Sequence, residues 1–131
     1  IKRVSSGLCF VFTNDDNDIQ KIKSEISQFS GVFVIIEKEL LKLNNYTLAW
    51  YALGNSDPAR DIEIDEKYII INATKKHGSE SFKRPWPDLV VMDNDTISKI
   101  DKKWDALNLG PYIESPSKAL KIVAKEKGAE L

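Results

Sequence analysis

Five consecutive residues, Val32-Phe33-Val34-Ile35-Ile36, carry no polar group, and four of the five are β-branched. A half-exposed strand alternates apolar and polar residues, so a run without alternation must be covered on both faces. That requirement points to an inner strand of a sheet flanked by helices. Tyr68-Ile69-Ile70-Ile71 makes the same demand. So does Gly7 to Thr13, a Phe- and Val-rich run closed by Asn14-Asp15-Asp16.

Helical patterns separate these strands. Ile19, Ile22, Ile26 and Phe29 recur at i, i+3, i+7 and i+10, with caps available from Asn14 to Asp18 and Gly31 expected as a left-handed C-cap. A second helix is expected over about Asn45 to Leu53, capped by Asn44 or Asn45 and ended by Gly54-Asn55. Strand and helix in alternation imply right-handed crossovers and a largely parallel sheet. Beyond the Asp57-Pro58 turn, Ile62 and Ile64 alternate with Asp61, Glu63 and Asp65, the mark of a half-exposed strand. Thr74 to Ser81 is polar and aperiodic, hence a loop. Leu89 to Met92 reads as a further buried strand, and Ile97, Ile100, Trp104 and Leu107 stripe a helix. Gly110-Pro111 breaks the chain, and Ser115-Pro116-Ser117 starts a last helix with Ala119, Leu120, Val123 and Ile122 on its apolar side.

The expected fold is therefore α/β: a three-layer α/β/α sandwich with a mostly parallel or mixed sheet, plus a C-terminal helix. Two segments are expected, a domain over 1–114 and a C-terminal helix over 115–131. The chain's 131 residues suffice for a single core. Nineteen basic and twenty acidic side chains leave a net charge of −1, which gives no field to attract nucleic acid or anionic lipid. Apolar runs are far shorter than a membrane span. Cys9, the single cysteine, sits in an apolar run and reads as a small buried hydrophobe; one cysteine suits a reducing cytoplasm. The chain opens Ile1-Lys2-Arg3 without methionine, which leads us to expect a fragment of a longer protein.

Candidate chemistry is sparse. Asp61, Glu63 and Asp65 would share one face of a strand and could hold a hard cation, although charges on an edge strand also block unwanted pairing. Asp65-Glu66-Lys67 matches half of a nuclease pattern whose Pro-Asp half is missing. Asn14, Asp15, Asp16 and Asp18 lack the glycine and the closing glutamate of a calcium loop; helix capping accounts for them, and for Glu37 and Glu39. His77 stands in a lysine-rich loop with no metal-ligand companion. Lys75, Lys76, Lys83 and Arg84 form a basic cluster, read as a solvated face or as a contact for phosphate or an acidic surface.

From Trp50 to Leu107 an ordered series of pieces resembles the C-terminal domain of the UbiD family of decarboxylases. The pieces are Leu48-Ala-Trp-Tyr-Ala-Leu53 followed by Asp57-Pro58-Ala59-Arg60-Asp61; Ile71-Asn72-Ala73-Thr74-Lys75-Lys76; Glu80-Ser-Phe-Lys-Arg-Pro-Trp-Pro87; and Met92-Asp93 leading to Trp104-Asp105-Ala106-Leu107. The resemblance implies a carboxy-lyase acting on an aromatic or α,β-unsaturated acid with prenylated FMN and a divalent metal, in ubiquinone or menaquinone biosynthesis. The cofactor supplies the electron sink that decarboxylation needs. Cofactor, metal and acid–base groups belong to upstream domains of the same polypeptide, so this segment is expected to be inactive alone. It would support the enzyme and its assembly as a homodimer or higher homo-oligomer, in part through exchange of the last helix, Ser117 to Lys127.

The resemblance also places individual residues. The family lysine that approaches the cofactor phosphate falls nearest to Lys67. It lies one residue further from Asn72-Ala73-Thr74 than the family spacing, and on a strand such a slip turns the side chain to the other face. Leu107 matches a mobile leucine but reads more simply as the last core position of its helix. Trp86 and Trp104 read as packing anchors. Asn72 stands in place of the family's aspartate, Leu41 and Asn44 stand where acids are common, and residues to about Ser30 match nothing specific. The rival reading is a free-standing, non-catalytic α/β binding or regulatory domain.

Overall fold

The computed structural model describes residues 1–76 and 87–124. The chain divides into two compact units, Ile1–Ser81 and Phe82–Leu131. His77, the rest of its loop, Lys83, Arg84, Pro85, Trp86 and residues 125–131 lie outside the described residues.

The first unit is an α/β fold around a five-stranded mixed sheet. In chain order its elements are β1 (Lys2–Arg3), β2 (Leu8–Thr13), α1 (Ile19–Ile26), β3 (Gly31–Glu37), α2 (Asn45–Gly54), α3 (Pro58–Asp61), β4 (Ile62–Ile64) and β5 (Tyr68–Asn72). Strand order is β1-β2-β3-β5-β4. The three inner strands are parallel, with Val11 opposite Ile35 and Phe33 opposite Ile70. The short outer strands β1 and β4 run antiparallel to their neighbours. The continuous apolar runs thus became the inner strands, where both faces are covered.

Consecutive residues Phe33, Val34, Ile35 and Ile36 are all buried. On one face Phe33 and Ile35 pack with Val11, Ile70 and the α1 residues Ile19 and Ile26. On the other face lie Phe10, Val34 and Ile36, also buried. Lys2, opposite Phe10 and hence on its face, donates to the carbonyl of Leu43 at 2.9 Å. This ties the 3-10 turn Lys38–Lys42, with its fully buried Leu40, to that side of the sheet. Asn44 caps α2 by accepting from the Thr47 amide at 2.9 Å.

Gly31 departs from its expected role. Helix α1 ends earlier, at Ile26 with Ser27 following in right-handed geometry, and Phe29 is exposed. Gly31 instead opens β3 with φ +145°, where its missing Cβ lets the Gly7 carbonyl approach. An added Cβ would stand 2.9 Å from that oxygen, which accepts from the Val32 amide at 2.7 Å. The glycine serves a strand crossing, and the sequence offered the same residue for a helix cap.

In the second unit, α4 (Asn94–Leu107) follows the expected stripe and is capped by Asp93, which accepts from the Thr96 amide and hydroxyl at 2.7 Å each. Asn108, with φ +50°, closes it in the left-handed region. The last helix, α5 (Pro116–Leu120), starts after Ser115 as expected but is short. Lys118 on α5 pairs with Asp101 on α4 at 3.2 Å.

The strand expected at Leu89–Met92 does not form. Residues 87–92 have no ladder, and Val90 and Met92 are exposed. A backbone run becomes a strand only beside a partner strand, and the described part of this unit contains none. Within the run the Met92 N–H donates to the Ser117 hydroxyl, at 3.0 Å. Leu107, expected in the core, is exposed too, and Ile97 is the only buried residue of α4.

Replacing Gly31 with valine should lower unfolding stability by about 2–3 kcal/mol, since it adds both a strained φ and a collision with backbone. Gly7→Ala, whose Cβ meets nothing within 4 Å, should stay within about 0.5 kcal/mol of the parent. Urea denaturation of both variants checks the pair.

Candidate functional site

In an open α/β sheet, sites form at the carboxyl ends of the parallel strands. Here those ends are Thr13, Glu37 and Asn72, with Thr13 directly opposite Glu37. The sequence folds two turns over this edge, Asp57 to Asp61 and Asn72 to Lys76.

The first turn is built by reciprocal capping. Asp57 accepts from the Ala59 amide at 2.8 Å, and Pro58 at the first helical position has no amide hydrogen left unpaired. The Asp61 amide donates to the Asp57 carbonyl, and the Asp57 amide donates back to the Asp61 carboxylate, each at 2.7 Å. Arg60 grips the same carboxylate with two parallel bonds, Nε at 2.9 Å and Nη2 at 2.7 Å.

The second turn begins at Asn72, whose side-chain oxygen accepts from the Thr74 hydroxyl at 2.8 Å and the Thr74 amide at 3.3 Å. The resemblance led to aspartate here. One acceptor oxygen is all the turn uses, and an amide supplies it.

Lys76 joins the two turns. Its ammonium donates to the Asn72 carbonyl at 2.8 Å and lies 3.3 Å from Asp61. The Lys76 and Asp61 side chains are only 2% and 4% exposed. Burial alone would push the Asp61 carboxyl up. The Arg60 hydrogen bonds, the Asp57 amide and the Lys76 charge outweigh it and hold the group below the ordinary carboxylate range.

Beside this pair, Glu37 accepts from the Tyr51 hydroxyl at 2.9 Å and from the Lys75 amide. Asn55, buried at the end of α2, donates to the Ala73 carbonyl at 2.8 Å and to the Tyr51 oxygen at 3.3 Å. Strand β3, helix α2 and the turn after β5 are thereby linked through polar side chains. The Asp57, Asp61 and Glu37 carboxylates are each engaged by donors of the chain itself. The arrangement is a lock that joins elements.

Several sequence candidates are not brought together. Asp61 belongs to α3 and faces Arg60 and Lys76, whereas Glu63 meets Lys23 at 3.2 Å and the Tyr68 hydroxyl at 3.0 Å. Asp65 accepts from the Lys67 amide at 3.1 Å in the β4–β5 turn. The three acids do not converge, and the described residues contain no group of three or more His, Cys, Asp or Glu placed to hold a metal. Lys67 is exposed at the start of β5, and its carbonyl accepts from the Gly31 amide, at the end of the strand opposite Asn72. Asp15 accepts from the Asn17 amide in a local turn, and Asp18 makes no side-chain cap. Glu37 likewise does not cap the turn it precedes.

The basic cluster also resolves differently from the sequence reading. Lys76 is buried against Asp61, so it is no part of a solvated face. What sequence reasoning missed is the Asp61–Lys76 pair. The signal available was the Asp-Pro-x-x-Asp capping pattern, which marks Asp61 as a backbone ligand. Cys9 is half-buried on the α1 face of the sheet, in keeping with a packing role. Trp104 packs edge-on against Tyr112, with ring centres 5.6 Å apart, and donates to the Gly110 carbonyl at 3.0 Å, as an anchor should. None of the described helices is long and apolar enough to cross a membrane.

No family model matches the chain. It is similar to an uncharacterized protein of Archaeoglobus fulgidus, at 29% identity over 93 residues. The match covers 58% of this chain and 19% of that protein, so the chain spans about a fifth of its relative's length.

Asp61→Asn should destabilise the first unit by on the order of 3 kcal/mol, because it strips the carboxylate charge from a buried lysine and an arginine. The pH dependence has a definite sign. With its folded-state value depressed, Asp61 contributes fully above the unfolded value of about 3.9, and the contribution is lost as pH falls through the lower folded value. Denaturant titrations of parent and variant should therefore differ by a constant amount from pH 5 to 7. The difference should begin to shrink below about pH 4 and vanish only once the pH lies below the folded value.

Proposed function

We propose that this chain is the C-terminal structural and oligomerisation part of a UbiD-like, prenylated-FMN-dependent aromatic-acid carboxy-lyase, acting in ubiquinone or menaquinone biosynthesis. The observation that supports the reading best is the Lys76–Asp61 contact. It unites two of the sequence pieces that carry the resemblance, Asp57-Pro-Ala-Arg-Asp61 and Asn72-Ala-Thr-Lys-Lys76, into one buried unit at the carboxyl edge of the sheet. Residues distant in sequence that form one physical device are constrained together, and these two pieces form one device.

The described residues do not fit a complete site for the flavin or its divalent metal. No acidic or histidine cluster is present among them, the carboxylates at the sheet edge are already engaged, and Lys67 lies at the other end of its strand. No step of the decarboxylation is assigned to them. On this reading the chain's partners are the upstream domains of its own polypeptide and further copies of the subunit. The aromatic acid and the cofactor bind in the upstream parts, and the enzyme works in the cytoplasm.

The test is to produce the complete coding region alongside a flavin prenyltransferase and to assay aromatic acids for release of carbon dioxide, with the 131-residue chain in parallel. The expected result is turnover by the complete protein, and neither turnover nor bound flavin for the 131 residues. Flavin co-purifying stoichiometrically with the 131 residues would contradict the support role. A coding region that adds no further domain, and whose product neither holds flavin nor decarboxylates, would favour the free-standing, non-catalytic binding or regulatory domain.

A further inference from the structure

Helix α2 carries no charged residue, although 30% of the chain is charged. Its inner side, Thr47, Leu48, Tyr51 and Ala52, is buried. Its outer side consists of Asn45, Tyr46, Ala49, Trp50, Leu53 and Gly54, all exposed. Tyr46, Trp50 and Leu53, at i, i+4 and i+7, form one stripe and are 84%, 49% and 79% exposed. A helix that packs one face on a core normally gives its other face to charged and polar residues, and a helix apolar all round is found buried. Two aromatic rings and a leucine aligned in water are a patch of the kind that marks an interface.

We infer that this outer face of α2 is a self-association surface, on which a second copy of the chain packs its own α2 antiparallel about a two-fold axis near Ala49 and Trp50. The composition of the face favours a second copy as occupant. A two-fold contact sets like residues close to like residues, which penalises charged surfaces and leaves a charge-free one unpenalised. The stripe is nearly symmetric about its centre, since Tyr46 and Leu53 lie four and three residues from Trp50. An antiparallel copy therefore sets Tyr46 beside the Leu53 of its mate. The helix dipoles are opposed in that arrangement. Ala49 and Gly54 leave room for close approach, because interaxial distance follows the size of the side chains at the contact.

The area suits a reversible dimer. At these exposures Tyr46, Trp50 and Leu53, with Ala49, offer roughly 500 Å² per copy, or about 1,000 Å² in the pair, at the lower end of specific interfaces. This surface is separate from the last helix, to which the family resemblance assigns subunit exchange, and the inference does not rest on the decarboxylase reading.

Sedimentation of the 131-residue chain should give twice the monomer mass at about 100 µM and a shift toward monomer on dilution, as a small interface implies. Trp50→Glu should weaken association at least about thirtyfold. Leu109→Glu, on an exposed apolar residue of the other unit, should leave association unchanged. Ala49→Cys in a Cys9→Ser background should form a disulfide-linked dimer under mild oxidation, a readout that holds even if Trp50→Glu does not fold. A parent chain that is monomeric at 100 µM, a dimer indifferent to Trp50→Glu, or an Ala49→Cys chain that does not cross-link overturns the inference.

Discussion

The first unit depends on burying one strand from both sides. Phe33 and Ile35 face α1, while Val34 and Ile36 face the opposite layer, and none of the four can be exposed without losing apolar burial worth roughly 2 kcal/mol each. That requirement places β3 in the middle of the sheet. It demands a parallel strand on either side, β2 and β5, and it sends the connecting chain over both faces. Gly31 allows the strand to start close against Gly7. Glu37, where the strand ends, becomes an anchor for α2 and for the turn after β5.

The polar edge extends the same logic. Backbone groups beyond the ends of strands lose their ladder partners and must be satisfied otherwise. Asp57, Asp61, Asn72 and Asn55 supply those partners, and Lys76 and Arg60 neutralise the charge that results. A carboxylate gripped bidentately by arginine and approached by a buried lysine is fixed in place. Such a group holds two segments together and is poorly suited to exchanging protons with a substrate. The second unit is built differently. Few of its apolar side chains are buried, and Ile97 and Leu120 stand almost alone in that respect among its described residues.

Legibility in the sequence followed how local each determinant was. The inner strands were legible because absence of alternation is a direct statement about burial on two faces. The cap at Asn44 was legible because it acts within three residues. Leu89–Met92 misled because its apolar character is real while a strand also needs a neighbour, which composition does not supply. Gly31 misled because a helix end and a close strand crossing ask for the same residue. The Asp61–Lys76 pair was out of reach for a third reason: Asp61 sat in an alternating acidic pattern and Lys76 in a lysine-rich loop. Only the fold brings them within 3.3 Å.

The carboxyl edge of the sheet is a closed part of the core. Native-state hydrogen exchange of individual amides tests it most directly, since it separates local opening from global unfolding. The amides of Asp57 and Lys75 donate to the Asp61 and Glu37 carboxylates, and the Ala73 amide donates to the Ile35 carbonyl. If the edge is a lock, these three exchange only through the global opening that also releases the inner-strand amides of Ile35 and Ile70. Exchange of Asp57 and Lys75 faster than Ile35 by several orders of magnitude would mean an edge that opens by itself and is no part of the closed core.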